Sequence, residues 1–147
     1  MSSTQPTGER PHILFLSVDQ WGAPFLGCEG HPVIRTPTID QLARLGTRYT
    51  RAYSESPICI PARRSMMTGQ SPRRHGDRSF LPALPMPREG LLAQCLRDGG
   101  YQTTAVGKLH VFPQRDRIGF DNTLLAEEGR PGLGAVDDYD LYLADQG

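Results

Sequence analysis

The stretch CIPARRSMMTG, residues 59–69, is the segment around which the rest of the chain is arranged. Pro61 suits the first position of a helix, because the N–H group that proline lacks has no partner there. Cys59 is therefore expected at a helix entrance, where unpaired N–H groups and the positive end of the helix dipole favour a bound anion. Arg63 follows one helical turn later and falls on the same face as Cys59.

An apolar run, HILFLSV at residues 12–18, lies upstream of this stretch. A short, uninterrupted apolar run bounded by polar residues predicts a buried parallel strand that is covered on both faces. The run ends at Asp19, and open α/β sheets bind their ligands at the carboxyl ends of strands. From the residues alone, Asp19 is equally well explained as the cap of a turn or helix.

Two amphipathic helices are predicted on either side of residues 59–69. The first opens with Thr36 as N-cap and Pro37 in the first turn, and its apolar positions recur at helical spacing. The second covers residues 90–98, with Cys95 in the core and a left-handed end at Gly99-Gly100. The β-branched segment 101–106 then predicts a strand. The order strand, helix, strand indicates an α/β fold with parallel crossovers.

The segment Gly107-Lys108-Leu109-His110 follows that strand directly. Alternation along an extended chain would place the side chains of Lys108 and His110 on the same face. Taken alone, such a pair is more often found on a solvated surface than in a site.

Composition excludes several classes of protein. Sixteen basic and sixteen acidic residues cancel, which argues against nucleic acid and anionic membranes as partners. Residues 1–10 are polar and are expected to be flexible, and no signal peptide or apolar run of transmembrane length is seen. The three cysteines are too widely spaced for a disulfide framework or a zinc motif, so we expect a reducing, cytoplasmic setting.

Four of these features stand in the order found in one enzyme family. Cys-x-Pro-x-Arg with a downstream Thr-Gly resembles the signature of the type I sulfatases, members of the alkaline phosphatase superfamily. The acid after the first strand, the Thr-Pro helix and Gly-Lys-x-His are similar to further motifs of that family. The resemblance covers roughly residues 10–122, and residues 123–147 receive no specific assignment.

The resemblance implies a fold: the N-terminal part of an alkaline-phosphatase-like sandwich, with a mostly parallel central sheet and flanking helices. It also implies that Cys59 is oxidised to formylglycine, whose hydrated aldehyde is the nucleophile. Asp19, Gln20 and Cys59 would bind a divalent metal, Ca²⁺ first, with Mn²⁺ or Mg²⁺ possible. Gln20 departs from the usual second Asp, as in some choline-sulfatase-like and phosphonate monoester hydrolase-like members.

The remaining catalytic roles follow from the same resemblance. Arg63 and Lys108 would neutralise the sulfate oxygens, and His110 would protonate the leaving alcohol. Leu109 stands where the family usually has Trp. A sulfate ester is the implied substrate, and a formylglycine-generating or anaerobic sulfatase-maturating enzyme is the implied partner.

Two alternatives remain beside a sulfuric ester hydrolase. One is a phosphonate monoester or phosphodiester hydrolase that uses the same formylglycine, and the other is a non-catalytic truncated remnant. Residues 1–147 are predicted to form a single incomplete catalytic region, because the family's later metal ligands have no match here. We therefore expect inefficient hydrolysis by this chain alone.

Overall fold

The computed structural model describes residues 10–127 and 136–147, which form parts of two compact units, Met1–Thr50 and Arg51–Gly147. The flexible N-terminus predicted at residues 1–10 lies outside the described residues except for Arg10. In the described part of the chain, no helix combines the length and the apolar character needed to cross a membrane.

The first unit contains helix α1, Pro37–Leu45, preceded by two short 3-10 turns, Ala23–Phe25 and Gly27–Glu29. The helix predicted to open at Thr36-Pro37 is thus confirmed. Its capping differs from the prediction, because the Thr36 hydroxyl accepts from the Gly27 N–H (2.8 Å) and donates to Asp40 (2.9 Å). Thr36 therefore joins the helix start to the preceding turn and does not cap the helix's own N–H groups.

The buried strand predicted at residues 12–18 is wrong for the described structure. The segment forms no strand there, and its apolar side chains are mostly exposed, Leu14 by 82% and Leu16 by 74%. An apolar run records only a preference for burial, whereas a buried strand also needs neighbouring strands and covering layers. No such neighbour pairs with this run among the described residues.

The second unit is built on two parallel strands, β1 (Thr104–Gly107) and β2 (Asn122–Leu125). Strand β1 confirms the later part of the segment predicted at 101–106, and the parallel pairing confirms the α/β class. Strand β2 was not predicted. The carboxylate of Asp121 accepts from the N–H group and the hydroxyl of Thr103 and so joins the starts of the two strands.

Among the described residues of this unit, four helices accompany the sheet: α2 (Cys59–Thr68), α3 (Pro72–His75), α4 (Leu92–Asp98) and α5 (Asp138–Gln146). Helix α4 confirms the second predicted helix. Its left-handed end lies at Gly100 (φ +85°), because Gly99 is still right-handed (φ −73°). The Tyr101 N–H closes this end by donating to the Leu96 carbonyl at 3.1 Å.

Cys95, predicted to lie in the core, is exposed. Around helix α4 the buried residues are instead Leu91 and Ala93, only 3% and 1% exposed. The face of helix α4 that is buried is therefore not the one predicted. Helical periodicity does not show which face is buried, because the core is formed by segments distant in the sequence. This core consists of Met67, Met86, Leu91, Leu109, Val111, Ile118 and Leu125.

Candidate active site

Helix α2 places Cys59 at its first residue, as predicted, with Ile58 extended before it (φ −119°, ψ 138°). The predicted position of Pro61 is wrong, since it is the third helical residue and not the first. A proline is still tolerated there, because the N–H groups of the first turn have no partner within the helix. Cys59 is a half-buried free thiol. Pro61, two residues later, is fully buried.

Arg63 lies one turn along helix α2 from Cys59 and connects two of the motifs. Its Nη1 donates to the carbonyl oxygen of Lys108 at 2.5 Å. The structure therefore brings together the Cys-x-Pro-x-Arg and Gly-Lys-x-His motifs, although the contact reaches the backbone of Lys108 and not its side chain.

The segment after strand β1 is not extended, contrary to the prediction. Gly107 and His110 have positive φ values (+101° and +56°), so alternation does not determine where the side chains of Lys108 and His110 point. Lys108 is half-buried, whereas His110 is only 4% exposed. The His110 ring packs edge-on against Phe80, with 6.1 Å between the ring centroids.

Glu127, which the sequence reasoning missed, holds this segment from the end of strand β2. Its carboxylate accepts from the Leu109 N–H (2.7 Å) and the His110 N–H (3.0 and 3.1 Å). Its own N–H donates to Asp137, whose carboxylate also caps helix α5 through the Asp140 N–H. The hydrogen bonds from the Asp140 N–H, which has the largest effect, and from the Glu127 N–H lower the pKa of Asp137. Strand β2 was itself not predicted, so the sequence offered no signal for Glu127.

A buried ion pair, also missed, anchors helix α2. Arg64 donates to the carbonyls of Pro85 (2.8 Å) and Leu84 (2.5 Å), and its Nε lies 3.9 Å from Asp77 Oδ2. The two charged side chains are 3% and 0% exposed. Neither carboxylate oxygen of Asp77 accepts a hydrogen bond from the described residues. Burial lowers the pKa of Arg64, and the nearby Asp77 opposes that shift.

His75 joins helix α3 to helix α2 beside this pair. Its Nδ1 accepts from the Asp77 N–H (3.2 Å), and its Nε2 lies 3.0 Å from Ser65 Oγ. Because Nδ1 accepts, the neutral ring carries its proton on Nε2, which can donate to Ser65. Burial first and the charge of Arg64 second lower the pKa of His75. The neutral ring is therefore the form that the fold favours.

The predicted metal ligands divide between the two units. Asp19 and Gln20 lie in an exposed turn of the first unit, with Gln20 at φ +54°, and Cys59 belongs to the second. Among the described residues, no group of three or more His, Cys, Asp or Glu side chains could hold a metal ion. The metal site expected at Asp19, Gln20 and Cys59 therefore stays a prediction.

Comparison with known proteins shows that the chain is similar to sulfatases. The family model described as Sulfatase matches residues 11–143. The arylsulfatase of Clostridium perfringens is 35% identical over 116 residues, which cover 79% of this chain and 24% of that enzyme. The ulvan-active sulfatase of Formosa agariphila is 36% identical over 126 residues, covering 80% of this chain and 24% of the relative.

A solved structure shows the same likeness. The crystal structure of Ps i-CgsB superposes with a TM-score of 0.63 at 34% sequence identity, covering 71% of this chain and 26% of that one. The chain thus spans about a quarter of the length of the relatives it matches. The expected α/β, alkaline-phosphatase-like fold is confirmed by this likeness. Because the family match extends over nearly every residue, the chain belongs to the sulfatase family.

Proposed function

We propose that this chain carries the nucleophile and the anion-binding face of a sulfuric ester hydrolase. The observation that supports this most strongly is that Arg63, one turn from Cys59 on helix α2, is bonded to Lys108. Two motifs that are far apart in the sequence thereby meet at the entrance of one helix. The related arylsulfatase and ulvan-active sulfatase point to the same class of reaction.

The nucleophile is proposed to derive from Cys59. Oxidised to formylglycine and hydrated, it would offer a hydroxyl group for attack on sulfur and a second hydroxyl whose deprotonation expels sulfate. A serine or an unmodified cysteine would stay esterified until water attacked. The modification requires a maturation enzyme, which is the proposed protein partner.

Charge neutralisation is assigned to the helix entrance and two cations. The unpaired N–H groups of the first turn of helix α2 favour an anion placed beside Cys59. Arg63 and Lys108 each bring a positive charge to the same region. Such preorganised groups stabilise charge that develops on the sulfate oxygens in the transition state.

Protonation of the leaving alcohol is assigned to His110. An imidazole titrates near neutral pH and can therefore hold and release a proton under ordinary conditions. The ring is buried against Phe80, which limits its exchange with bulk water. The expected divalent metal, Ca²⁺ first, rests on family membership, and Asp19, Gln20 and Cys59 remain its proposed ligands.

The test is turnover of an activated aryl sulfate by the chain after co-expression with a maturation enzyme. Peptide mass spectrometry should find formylglycine at position 59 and an unmodified thiol at Cys95, although Cys95 is the more exposed of the two. We expect slow turnover that Cys59→Ala abolishes and Cys95→Ala leaves unchanged. An unmodified Cys59, with the maturation enzyme active on a control protein, would contradict the proposal.

Turnover should be slow because the family's later metal ligands have no match in these residues, so the metal would be weakly bound and the nucleophile loosely positioned. Excess Ca²⁺ or Mn²⁺ should raise the rate by mass action. A rate comparable to that of an intact sulfatase would show that a complete site forms without further residues.

A further inference from the structure

The backbone of His110 adopts a conformation that its own side chain does not favour. Its φ of +56° lies in the left-handed region, which few non-glycine residues occupy. Such a conformation persists only where the surrounding structure imposes it, and it is found most often at functional sites. The contacts that hold residues 108–110 therefore bear on where the His110 ring lies.

Glu127 accepts hydrogen bonds from this segment. One oxygen of its carboxylate accepts from both the Leu109 and His110 N–H groups, and the other also accepts from His110. Glu127 is only 2% exposed, so these bonds to a charged acceptor form away from water. The relative orientation of these two N–H groups is set by φ and ψ of Leu109, so their shared acceptor fixes the backbone directly before the His110 side chain.

Glu127 is itself fixed in place. It lies two residues after the end of strand β2, and its N–H donates to Asp137 at 2.7 Å. From the other side, Arg63 holds the carbonyl of Lys108. The segment of residues 108–110 is therefore held at two N–H groups by the Glu127 carboxylate and at one carbonyl by the Arg63 guanidinium.

We infer that Glu127 is a positioning residue for the candidate acid: its carboxylate fixes the two peptide groups on either side of Leu109 and so the point from which His110 and its imidazole leave the segment. Glu127 touches the backbone of the segment and is not assigned any contact with substrate. The catalytic importance of this positioning rests on the proposed function, whereas the positioning itself does not.

Nuclear magnetic resonance of the unmodified chain tests the inference without turnover. Glu127→Ala should move the Leu109 and His110 amide proton signals upfield, because their carboxylate acceptor is lost. It should also change the His110 ring signals and weaken their contact with Phe80. Asp138→Ala is the matched control, since Asp138 caps the neighbouring Leu125 N–H (2.7 Å) and pairs with Arg115 at the same junction. The control should leave the His110 signals in place.

Glu127→Gln keeps one acceptor oxygen of nearly the same shape and should preserve the His110–Phe80 contact. Its weaker, neutral acceptor should still shift the two amide signals, so this variant decides the question if Glu127→Ala does not fold. Unmoved amide and ring signals in these variants would overturn the inference. So would an equal change in Asp138→Ala.

Inorganic sulfate separates the inference from the proposed function. If both hold, Glu127→Ala should weaken sulfate binding roughly tenfold, because Lys108, which is assigned to the sulfate oxygens, belongs to the segment that Glu127 holds. Asp138→Ala should leave sulfate binding unchanged. If the unaltered chain binds no sulfate while the resonance changes occur as described, the positioning stands and the proposed function falls.

Discussion

Arg63 Nη1 lies 2.5 Å from the carbonyl oxygen of Lys108, and this hydrogen bond joins the first turns of helix α2 to the segment that follows strand β1. The two elements come from separate parts of the sequence, and each carries one of the motifs. A displacement of helix α2 would therefore also displace residues 108–110. The bond therefore couples the position of the candidate nucleophile, Cys59, to that of the candidate acid, His110.

The buried pair of Arg64 and Asp77 should matter more for stability than an exposed pair with better geometry. Asp77→Leu leaves the Arg64 charge buried and uncompensated, so we expect a loss of about 3 kcal/mol in the free energy of unfolding. The double variant Arg64→Met/Asp77→Leu should recover part of this loss, although the carbonyls of Leu84 and Pro85 lose their donor. Urea denaturation measures each value.

The control for this prediction is Arg88→Met. Arg88 and Asp116 lie closer together (3.1 Å), but the Arg88 side chain is 77% exposed. Exposed pairs contribute about 0–1 kcal/mol. A loss as large as that of Asp77→Leu would show that burial is not what gives the Arg64–Asp77 pair its importance.

His75 should make the stability of the second unit depend on pH in the weakly acidic range. Its pKa is lowered in the folded chain by burial and by Arg64, so the unfolded chain binds the proton first as pH falls. The contribution is therefore complete above the ordinary histidine pKa of about 6.5 and is lost as pH falls through the folded value.

His75→Gln tests this dependence, since the amide cannot titrate but can still donate to Ser65. Free energies of unfolding measured from pH 5 to pH 8 should fall below about pH 6.5 in the unaltered chain and stay flat in the variant. Asp121, Asp137 and Asp138, whose pKa values are also lowered, act at lower pH. An unchanged slope in His75→Gln would assign the effect to another group.

Gly119 should tolerate a side chain less well than Gly90. Both have positive φ (+90° and +71°), but a Cβ at Gly119 would lie 2.8 Å from the Gln94 backbone nitrogen, whereas nothing lies within 4 Å at Gly90. We expect Gly90→Ala to cost about 1 kcal/mol and Gly119→Ala about 3 kcal/mol. Thermal or urea unfolding compares the two, and equal losses would show that helix α4 moves aside.

The features that the sequence predicted well are local ones. Pro37 marks a helix start within a few residues, Gly100 ends helix α4, and the β-branched residues before Gly107 form strand β1. Each depends on the conformational limits of a few consecutive residues. The placement of Cys59 at the start of helix α2 belongs to the same class.

The features that the sequence did not predict depend on distant partners. Leu14 and Leu16 are as apolar as core residues, yet their burial requires neighbours that the described structure does not place beside them. Cys95 is exposed, whereas Leu91 packs with the distant core residues and Ala93 is buried. Glu127 acts on residues 109 and 110 across the sheet, a relationship that no spacing along the chain expresses.

The connection between strands β1 and β2 has a consequence for how this chain can vary. Parallel strands are usually joined by a crossover of a dozen or more residues that contains a helix. Here residues 108–121 make the crossover without a helix, and both of its flanks are fixed: at Leu109 and His110 by Glu127, and at Asp121 by Thr103. One inserted residue would shift the register of strands β1 and β2 or break the hydrogen bonds from Leu109 and His110 to Glu127. Related chains that keep this arrangement should therefore differ here by substitution and not by length.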